Sequence, residues 1–163
     1  MLIMLDMLKI PEQRKAMLIG KDGQTKQDIE KKTNTKLVIN DGVEIEGEPL
    51  EVLKAKQIVA AIGRGFSPEI ALKLVNENYQ LIVINLGGET GKTQKRIMSR
   101  IIGTRGKCKN IIEKYTGAYI CVYGKTISVI GEWSKAEIAE KAIDMIINGR
   151  KHAYVYKYLE EST

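Results

Sequence analysis

The 163-residue sequence predicts an α+β fold built from two consecutive copies of one unit. The main observation is an internal repeat: residues 19–23 (IGKDG) recur as residues 102–106 (IGTRG), an offset of 83 positions. Around both segments the apolar residues switch between the period of a helix and the period of a strand. With 44% apolar residues, the chain can bury one ordinary core or two small ones.

The first copy begins with an apolar stretch, residues 1–10, which the pattern predicts to be a buried strand. Asp6 and Lys9 interrupt it and Pro11 ends it, so it is too short and too polar for a membrane span or a signal peptide. A short helix, the glycine turn, a second helix and two strands follow. The copy closes with a helix from about Pro49 to Gly63, whose predicted apolar face comprises Leu50, Leu53, Ile58 and Ile62.

The second copy repeats this order of elements. Asn34 and Gly117 occupy equivalent positions after the second helix of each copy, where a left-handed residue commonly ends a helix. From Gly47 and Gly131 onward the offset is 84, which indicates one inserted turn residue. The last helix of this copy is predicted to bury Ile138, Ala142, Met145 and Ile146.

These patterns divide the chain into four predicted segments: a first domain at 1–65, a helical linker at 66–78, a second domain at 79–150 and a tail at 151–163. Ser67 and Pro68 have the residue types expected at the N-cap and first position of the linker helix. The aromatic tail is expected to dock back onto the protein, and its pattern leaves helix and strand equally open.

The two glycine turns have the composition of a site for a sugar-phosphate backbone. Glycine lacks a Cβ, so a phosphate can approach the main chain closely, and the helix after the turn directs amide donors outward. A single GxxG tetrapeptide is weak evidence, but here it occurs twice in matching context.

The second copy, from Ile102 through Thr116-Gly117-Ala118 to Val122, resembles the KH signature in its type I order, βααββα. The resemblance implies two tandem KH domains, each a three-stranded antiparallel sheet covered by helices, that bind single-stranded RNA. The whole chain, including residues 122–126 and the tail, is further similar to the archaeal partner-of-Nob family of dual-KH ribosome-assembly proteins. That resemblance implies the 3′ region of precursor small-subunit ribosomal RNA as ligand. It also implies a Nob-type endonuclease and a translation initiation factor subunit as partners.

Charge separates the two copies. Residues 92–109 contain seven cations and no acid, a local +7 in a chain whose total is +6, whereas residues 9–26 carry only +3. We therefore expect the second copy to dominate phosphate binding. Lys26 and Lys109 stand where the KH signature usually has an aliphatic residue, which implies a more charged groove. The predicted RNA-binding residues are Lys92, Arg96, Arg100, Gly103, Thr104, Arg105, Gly106, Lys107, Lys109 and Ile112 in the second copy, and Gly20, Lys21, Asp22, Gly23 and Lys26 in the first.

Two other functions compete with this hypothesis. Asp22 offsets Lys21 in the first turn, so the first domain could be chiefly a protein-interaction platform. Residues 86–93 (LGGETGKT) nearly match a phosphate-binding P-loop, but Leu86 replaces the required first glycine. We expect this stretch to be an irregular loop that brings Lys92 to the RNA surface.

No residue pattern indicates catalysis. His152 is the only histidine, and Cys108 and Cys121 have neither metal-ligand spacing nor a nearby base, so free thiols are expected. Trp133 is interpreted as a packing anchor. The sequence thus predicts a monomeric, cytoplasmic RNA-binding protein with no cofactor, no metal and no membrane attachment.

Overall fold

The computed structural model describes residues 2–163, which form two compact units. The first unit ends at Glu77 and the second covers Asn78–Thr163. Each described unit contains a three-stranded antiparallel sheet with helices against it, so the predicted α+β class is confirmed.

The first unit follows the predicted βααββα order and then adds a short helix. Its helices and strands are β1 (Met4–Leu8), α1 (Lys15–Ile19), α2 (Gln24–Thr33), β2 (Lys36–Ile39), β3 (Val43–Gly47), α3 (Pro49–Gly63) and α4 (Pro68–Ala71). The sheet has the order β1-β3-β2. Asp6 of β1 pairs in register with Ile45, and its carboxylate accepts a hydrogen bond from Lys56 of α3 at 2.9 Å. This hydrogen bond, above all, lowers the pKa of Asp6.

The second unit repeats this architecture with a longer second half. Its helices and strands are β4 (Tyr79–Asn85), α5 (Gly91–Ile102), α6 (Lys107–Thr116), β5 (Tyr119–Tyr123), β6 (Thr126–Glu132), α7 (Trp133–Ile147) and α8 (His152–Ser162). The sheet order is β4-β6-β5, and β-branched residues such as Ile127 and Val129 point from the central strand into the core. The inserted residue lies in the turn between β5 and β6, because Val122 pairs with Ile127 where Ile39 pairs with Val43.

Helix ends follow the predicted chemistry. Asn34 and Gly117 both adopt the left-handed conformation, with φ of 54° and 70°, and so end α2 and α6 at equivalent points. The Ser67 hydroxyl accepts the N–H of Ile70, and Pro68 takes the first position of α4. The tail, whose conformation the sequence left open, is the helix α8, and Val155 and Leu159 are fully buried in the core of the second unit.

Three expectations about packing were wrong. The first strand is not buried, because Leu5 and Met7 of β1 are 66% and 55% exposed and its other residues are only half-buried. Leu50 and Leu53 are 79% and 51% exposed, while Val52, Ala55 and Val59 fill the core side of α3 instead. Helical spacing allows Ile58 and Ile62 to share an apolar face with either set of residues. Packing against the sheet selects which set is buried. Trp133 is 54% exposed, so it is not the buried anchor that we expected.

Candidate nucleic-acid interface

The two GxxG turns have the same backbone conformation. The first glycines, Gly20 and Gly103, both have φ of 77°, and the second glycines, Gly23 and Gly106, both have φ of 74°. The third residue of each turn is not glycine, yet it also has positive φ, 53° at Asp22 and 56° at Arg105. A left-handed non-glycine residue costs on the order of 1 kcal/mol, and such strain tends to be retained where a site needs the geometry.

The two glycines of each turn serve different purposes. A Cβ on Gly103 would lie 2.8 Å from the backbone N of Cys108, so the first glycine is required for α5 and α6 to approach one another. A Cβ on Gly106 would meet only the side-chain amide of Asn110, at 3.8 Å. The second glycine therefore leaves open space on the outer side of the turn, where a phosphate group can reach the backbone.

The second turn opens onto a shallow depression of about 710 Å³. The lining residues lie on the turn and on one face of α6, since positions 107, 110, 111 and 114 have helical spacing; they are Thr104, Arg105, Lys107, Asn110, Ile111 and Lys114. The three cations among them face no acid in this set, which gives the surface a charge of +3 around one apolar side chain. A polyanion with exposed bases matches that combination of charge and shape.

Several predicted site residues belong to this surface and its approach. The side chains of Thr104, Arg105 and Lys107 are exposed at the turn, and Lys92 and Arg96 are exposed on α5. Lys92, Thr93 and Arg96 line a further depression of about 310 Å³ on that helix. The cations therefore extend from the start of α5 to the turn.

The structure corrects the role of Ile112. Its side chain is fully buried in the core, so it cannot contact RNA; Ile111, the preceding residue on the helix, reaches the surface instead. The sequence alone could have located Ile111, Asn110 and Lys114, because they continue the face that begins at Lys107.

Arg100 has a structural task that the sequence did not reveal. Its guanidinium donates to the carbonyl oxygens of Ile146 at 2.9 Å and Arg150 at 2.6 Å, and so holds the end of α7. Arg14 makes the equivalent bonds in the first unit, to the carbonyls of Ile62 and Phe66, although it lies outside the repeat register. Sequence comparison misses this pair since the two arginines are not at matching positions.

Lys109 and Lys26 also have intramolecular partners. Lys109 pairs with Glu113 at 3.2 Å, and a carboxylate oxygen of Glu113 accepts the N–H of Ile120 on the edge strand β5 at 2.9 Å. Lys26 and Glu30 repeat this arrangement in the first unit, where Glu30 accepts the N–H of Leu37. The charge of Lys109 is therefore partly neutralised by an acid that follows the basic segment.

Helix α8 lies behind the second turn. The Tyr156 hydroxyl and the Cys108 thiol share a hydrogen bond, and His152 Nε2–H donates to the carbonyl of Arg100 at 2.9 Å. Burial, together with the neighbouring Cys108, raises the pKa of Tyr156 to about 12; burial also raises the pKa of Cys108. Cys108 is buried and Cys121 partly exposed, and both thiols are free.

The P-loop-like segment uses several of its amides for hydrogen bonds of its own. Its amides already donate within the loop: Gly87 to Asn85 Oδ1 at 2.7 Å, Glu89 to the carbonyl of Leu86 at 3.0 Å, and Thr93 to Thr90 Oγ1 at 3.2 Å. Gln94 further closes the loop through the carbonyls of residues 86 and 89. These three amides could donate to a phosphate only by giving up a partner within the loop.

Among residues 2–163, every helix is too short or too polar to span a lipid bilayer.

Comparison with known proteins gives the same fold and family. Residues 78–163 match the family described as eukaryotic type KH-domain (KH-domain type I), and residues 5–61 match the KH domain. A KH domain-containing protein of Methanocaldococcus jannaschii is 43% identical over 165 residues, covering 96% of this chain and 73% of its own.

Solved structures extend the comparison. Dim2p from Pyrococcus horikoshii is 46% identical, with a TM-score of 0.91, over 97% of this chain and 99% of that one. The same identity and TM-score hold for a complex of a/eIF2alpha, aDim2p and rRNA from that organism, over 98% and 93% of the two chains. A protein of unknown function from Aeropyrum pernix is 33% identical, with a TM-score of 0.94, over 99% and 92%.

Proposed function

Because the chain belongs to the KH-domain RNA-binding proteins, in the partner-of-Nob branch that includes archaeal Dim2p, we propose that it binds single-stranded ribosomal RNA. The single observation that carries this proposal is the second GxxG turn, with its open outer side and the +3 surface beside it. The ligand is the 3′ region of precursor small-subunit ribosomal RNA, and the role is ribosome assembly in the cytoplasm.

The binding mode follows from the geometry of the second unit. Amide groups of the GxxG turn and the start of α6 contact a phosphate, while Arg105 and Lys107 neutralise the neighbouring backbone. Ile111 offers an apolar contact for an unstacked base. The first unit contributes less, because Asp22 and Asp28 offset the cations at the equivalent surface.

Binding without cleavage is the second part of the proposal. The residues that line the depression at the turn are three cations, an amide, an aliphatic side chain and the hydroxyl of Thr104, and this set contains no histidine or carboxylate that could act as a general base for that hydroxyl. Maturation of the RNA end is then the task of a separate Nob-type endonuclease. A translation initiation factor α subunit is a further partner, since such a complex exists for the Pyrococcus relative.

The experiment is a salt series of RNA titrations by fluorescence anisotropy, with a labelled single strand from the small-subunit 3′ end. The double variant Thr104→Asp/Arg105→Asp should lose about 100-fold in affinity, and its salt slope should fall by about 1. Lys21→Asp, at the matching position of the first unit, should lose less than about threefold. If both folded variants bind as tightly as wild type, RNA does not bind at the GxxG turns.

A second candidate function concerns the first unit. Its turn has the same backbone as the second, but Lys21 and Lys31 are balanced by Asp22 and Asp28, which is the observation that favours a protein-interaction platform there. Pull-down of the initiation factor subunit with Lys21→Asp and with Arg105→Asp separates the two functions. Loss of the protein partner in the first variant alone supports the platform, and loss in the second alone contradicts it.

A further inference from the structure

Helix α8 contacts the chain on both sides of the second GxxG turn. His152 Nε2–H donates to the carbonyl of Arg100 at 2.9 Å, three residues before the turn begins. The Tyr156 hydroxyl shares a hydrogen bond with the thiol of Cys108, two residues after the turn ends. The turn is therefore held from behind at the end of α5 and at the start of α6.

Each contact reaches a group that shapes the turn. The Arg100 carbonyl is among the last carbonyls of α5, which have no partner within the helix. Cys108 lies directly against the first glycine, since a Cβ on Gly103 would be 2.8 Å from both its backbone N and its Cβ. Between these two points Arg105 has φ of 56°, a conformation that few non-glycine residues adopt. The two contacts thus bracket the strained part of the turn.

The geometry of α8 suits this helix as a support. His152 and Tyr156 are one helical turn apart, and their rings stack with centroids 6.0 Å apart and planes inclined by 22°. Val155 and Leu159 of the same helix are fully buried in the core of the second unit. Both polar side chains are therefore presented by a helix that cannot move without disturbing that core.

The first unit has a corresponding segment without the two polar side chains. At the offset of 84, α4 and the short 3₁₀ helix that follows it correspond to the first two turns of α8. Pro68 stands at the position of His152 and Leu72 at that of Tyr156, so neither donates a side-chain hydrogen bond. Both donors therefore belong to the unit whose turn has the basic surface beside it.

The first turn has the same φ angles as the second without these donors. The contacts from α8 therefore do not create the shape of the second turn, and their effect is to restrict its motion.

Resting on the proposed function, we infer that His152 and Tyr156 are positioning residues for RNA, which hold the second GxxG turn in the conformation that binds a phosphate. The phosphate contacts backbone amides of the turn, so its affinity depends on how firmly those amides are held. A turn that is already ordered loses less conformational entropy on binding, and its affinity is correspondingly higher. Neither side chain contacts RNA, because the effect passes through the Arg100 carbonyl and Cys108.

The first measurement is the RNA affinity of a variant that lacks both donors. The double variant His152→Leu/Tyr156→Phe removes the two hydrogen bonds and keeps apolar groups at both positions. In titrations with the labelled 3′-end single strand, it should bind about tenfold more weakly than wild type. Its salt slope should equal that of wild type, because no cation of the RNA-binding surface is lost.

Amide hydrogen exchange, followed by NMR, reports on the turns themselves. The amides of Gly103 and Gly106 donate to the carbonyls of Ser99 and Gly103, and Gly20 and Gly23 make the equivalent bonds in the first unit. In the double variant, exchange at Gly103 and Gly106 should be about tenfold faster than in wild type. Exchange at Gly20 and Gly23 should not change, so these amides are an internal control.

Two further variants separate positioning from a general effect on stability. His152→Gln keeps a side-chain N–H for the Arg100 carbonyl, so its affinity should stay within about twofold of wild type. Ile127→Val removes a methylene from the core beside β6 and lowers stability, but it leaves both donors in place. The folded Ile127→Val variant should therefore bind RNA like wild type.

The outcomes separate this inference from the proposed function. Equal affinities of the folded double variant and wild type overturn the inference, as does an equal loss of affinity in Ile127→Val. A loss of affinity without faster exchange in the second turn also overturns it, because the side chains would then act by direct contact with RNA. No RNA binding by wild type overturns the proposed function as well.

If the double variant does not fold, the single variants His152→Leu and Tyr156→Phe are judged by the same criteria. Each should lose about threefold in affinity, with faster exchange in the second turn alone.

Discussion

The two GxxG turns share a backbone and differ in charge. Their first glycines both have φ of 77° and their second glycines φ of 74°, and each turn has a left-handed residue between the glycines. The six positions that line the second depression have a net charge of +3, whereas the same positions in the first unit, Lys21, Asp22, Gln24, Gln27, Asp28 and Lys31, sum to zero. In the first unit Gln24 also donates to Asp28 at 2.8 Å, which ties two of these side chains to one another.

This difference shows how one scaffold carries two binding capacities. The main-chain geometry of the turn is set by glycines and by helix packing, which the duplication preserved. The affinity for a polyanion is set by exposed side chains, which can change without affecting the core.

The first glycine of each turn should be the most sensitive position. Gly103→Ala should destabilise the second unit by about 3 kcal/mol, because the new Cβ meets Cys108 and φ is positive. Gly20→Ala should affect the first unit similarly through Thr25. Gly106→Ala, which meets open space, should cost only about 1 kcal/mol.

Urea unfolding monitored by hydrogen exchange assigns each loss of stability to one of the two units. Trp133, the only tryptophan, reports on unfolding of the second unit. Equal losses for Gly103→Ala and Gly106→Ala would contradict the separate roles that we assign to the two glycines.

Arg100 and Arg14 should behave as matched structural residues. Arg100→Met removes two bonds from a charged donor to carbonyls and should destabilise the second unit by about 2 kcal/mol. RNA affinity of the folded fraction should stay within about threefold of wild type, unlike the loss from Thr104→Asp/Arg105→Asp. A large loss of affinity with unchanged stability would restore Arg100 to the RNA-binding set. Arg14→Met should weaken the first unit alone.

Replacing acids by lysines at the first turn should raise the affinity for RNA. The double variant Asp22→Lys/Asp28→Lys replaces both acids of the first unit's equivalent surface by cations. Its affinity for RNA should increase about tenfold, with a steeper salt dependence. Glu46→Lys with Glu69→Lys, which changes two exposed acids of the first unit outside this surface, is the control for the same change in total charge. If the control gains as much, the position of the charge is irrelevant and the division between the two turns fails.

The hydrogen bond between Cys108 and Tyr156 in the second unit should have the smallest effect on stability. The folded pKa of Tyr156 is raised from 10.0 to about 12, so the folded state keeps a proton that the unfolded state loses. The stabilising contribution is therefore complete below pH 10 and is lost as the pH rises towards about 12.

Tyr156→Phe should cost about 1 kcal/mol at neutral pH and flatten the alkaline decline. Tyr158→Phe, in the same helix, should keep the wild-type decline. Urea unfolding at several pH values measures both, and identical profiles for the two variants would contradict the role of the Cys108 contact.

Much of the fold and part of the site could be predicted from the sequence. The repeat at residues 19–23 and 102–106, the helix from Pro49 to Gly63 and the left-handed ends at Asn34 and Gly117 depend on local residue types and spacing. The excess of cations between residues 92 and 109 is likewise a property of the sequence. The resemblance to the KH family was carried by the signature from Ile102 to Val122, and the comparisons confirm that family.

The side of each helix that is buried and the charges that stay unpaired were set by the tertiary structure. It turned Leu50 and Leu53 outward, placed Ile112 in the core and Ile111 at the surface, and paired Lys109 with Glu113. It also assigned Arg100 to the end of α7 and made the tail a helix behind the turn. The physical reason is distance along the chain: turns and caps depend on neighbouring residues, whereas burial and pairing depend on groups that meet only after folding.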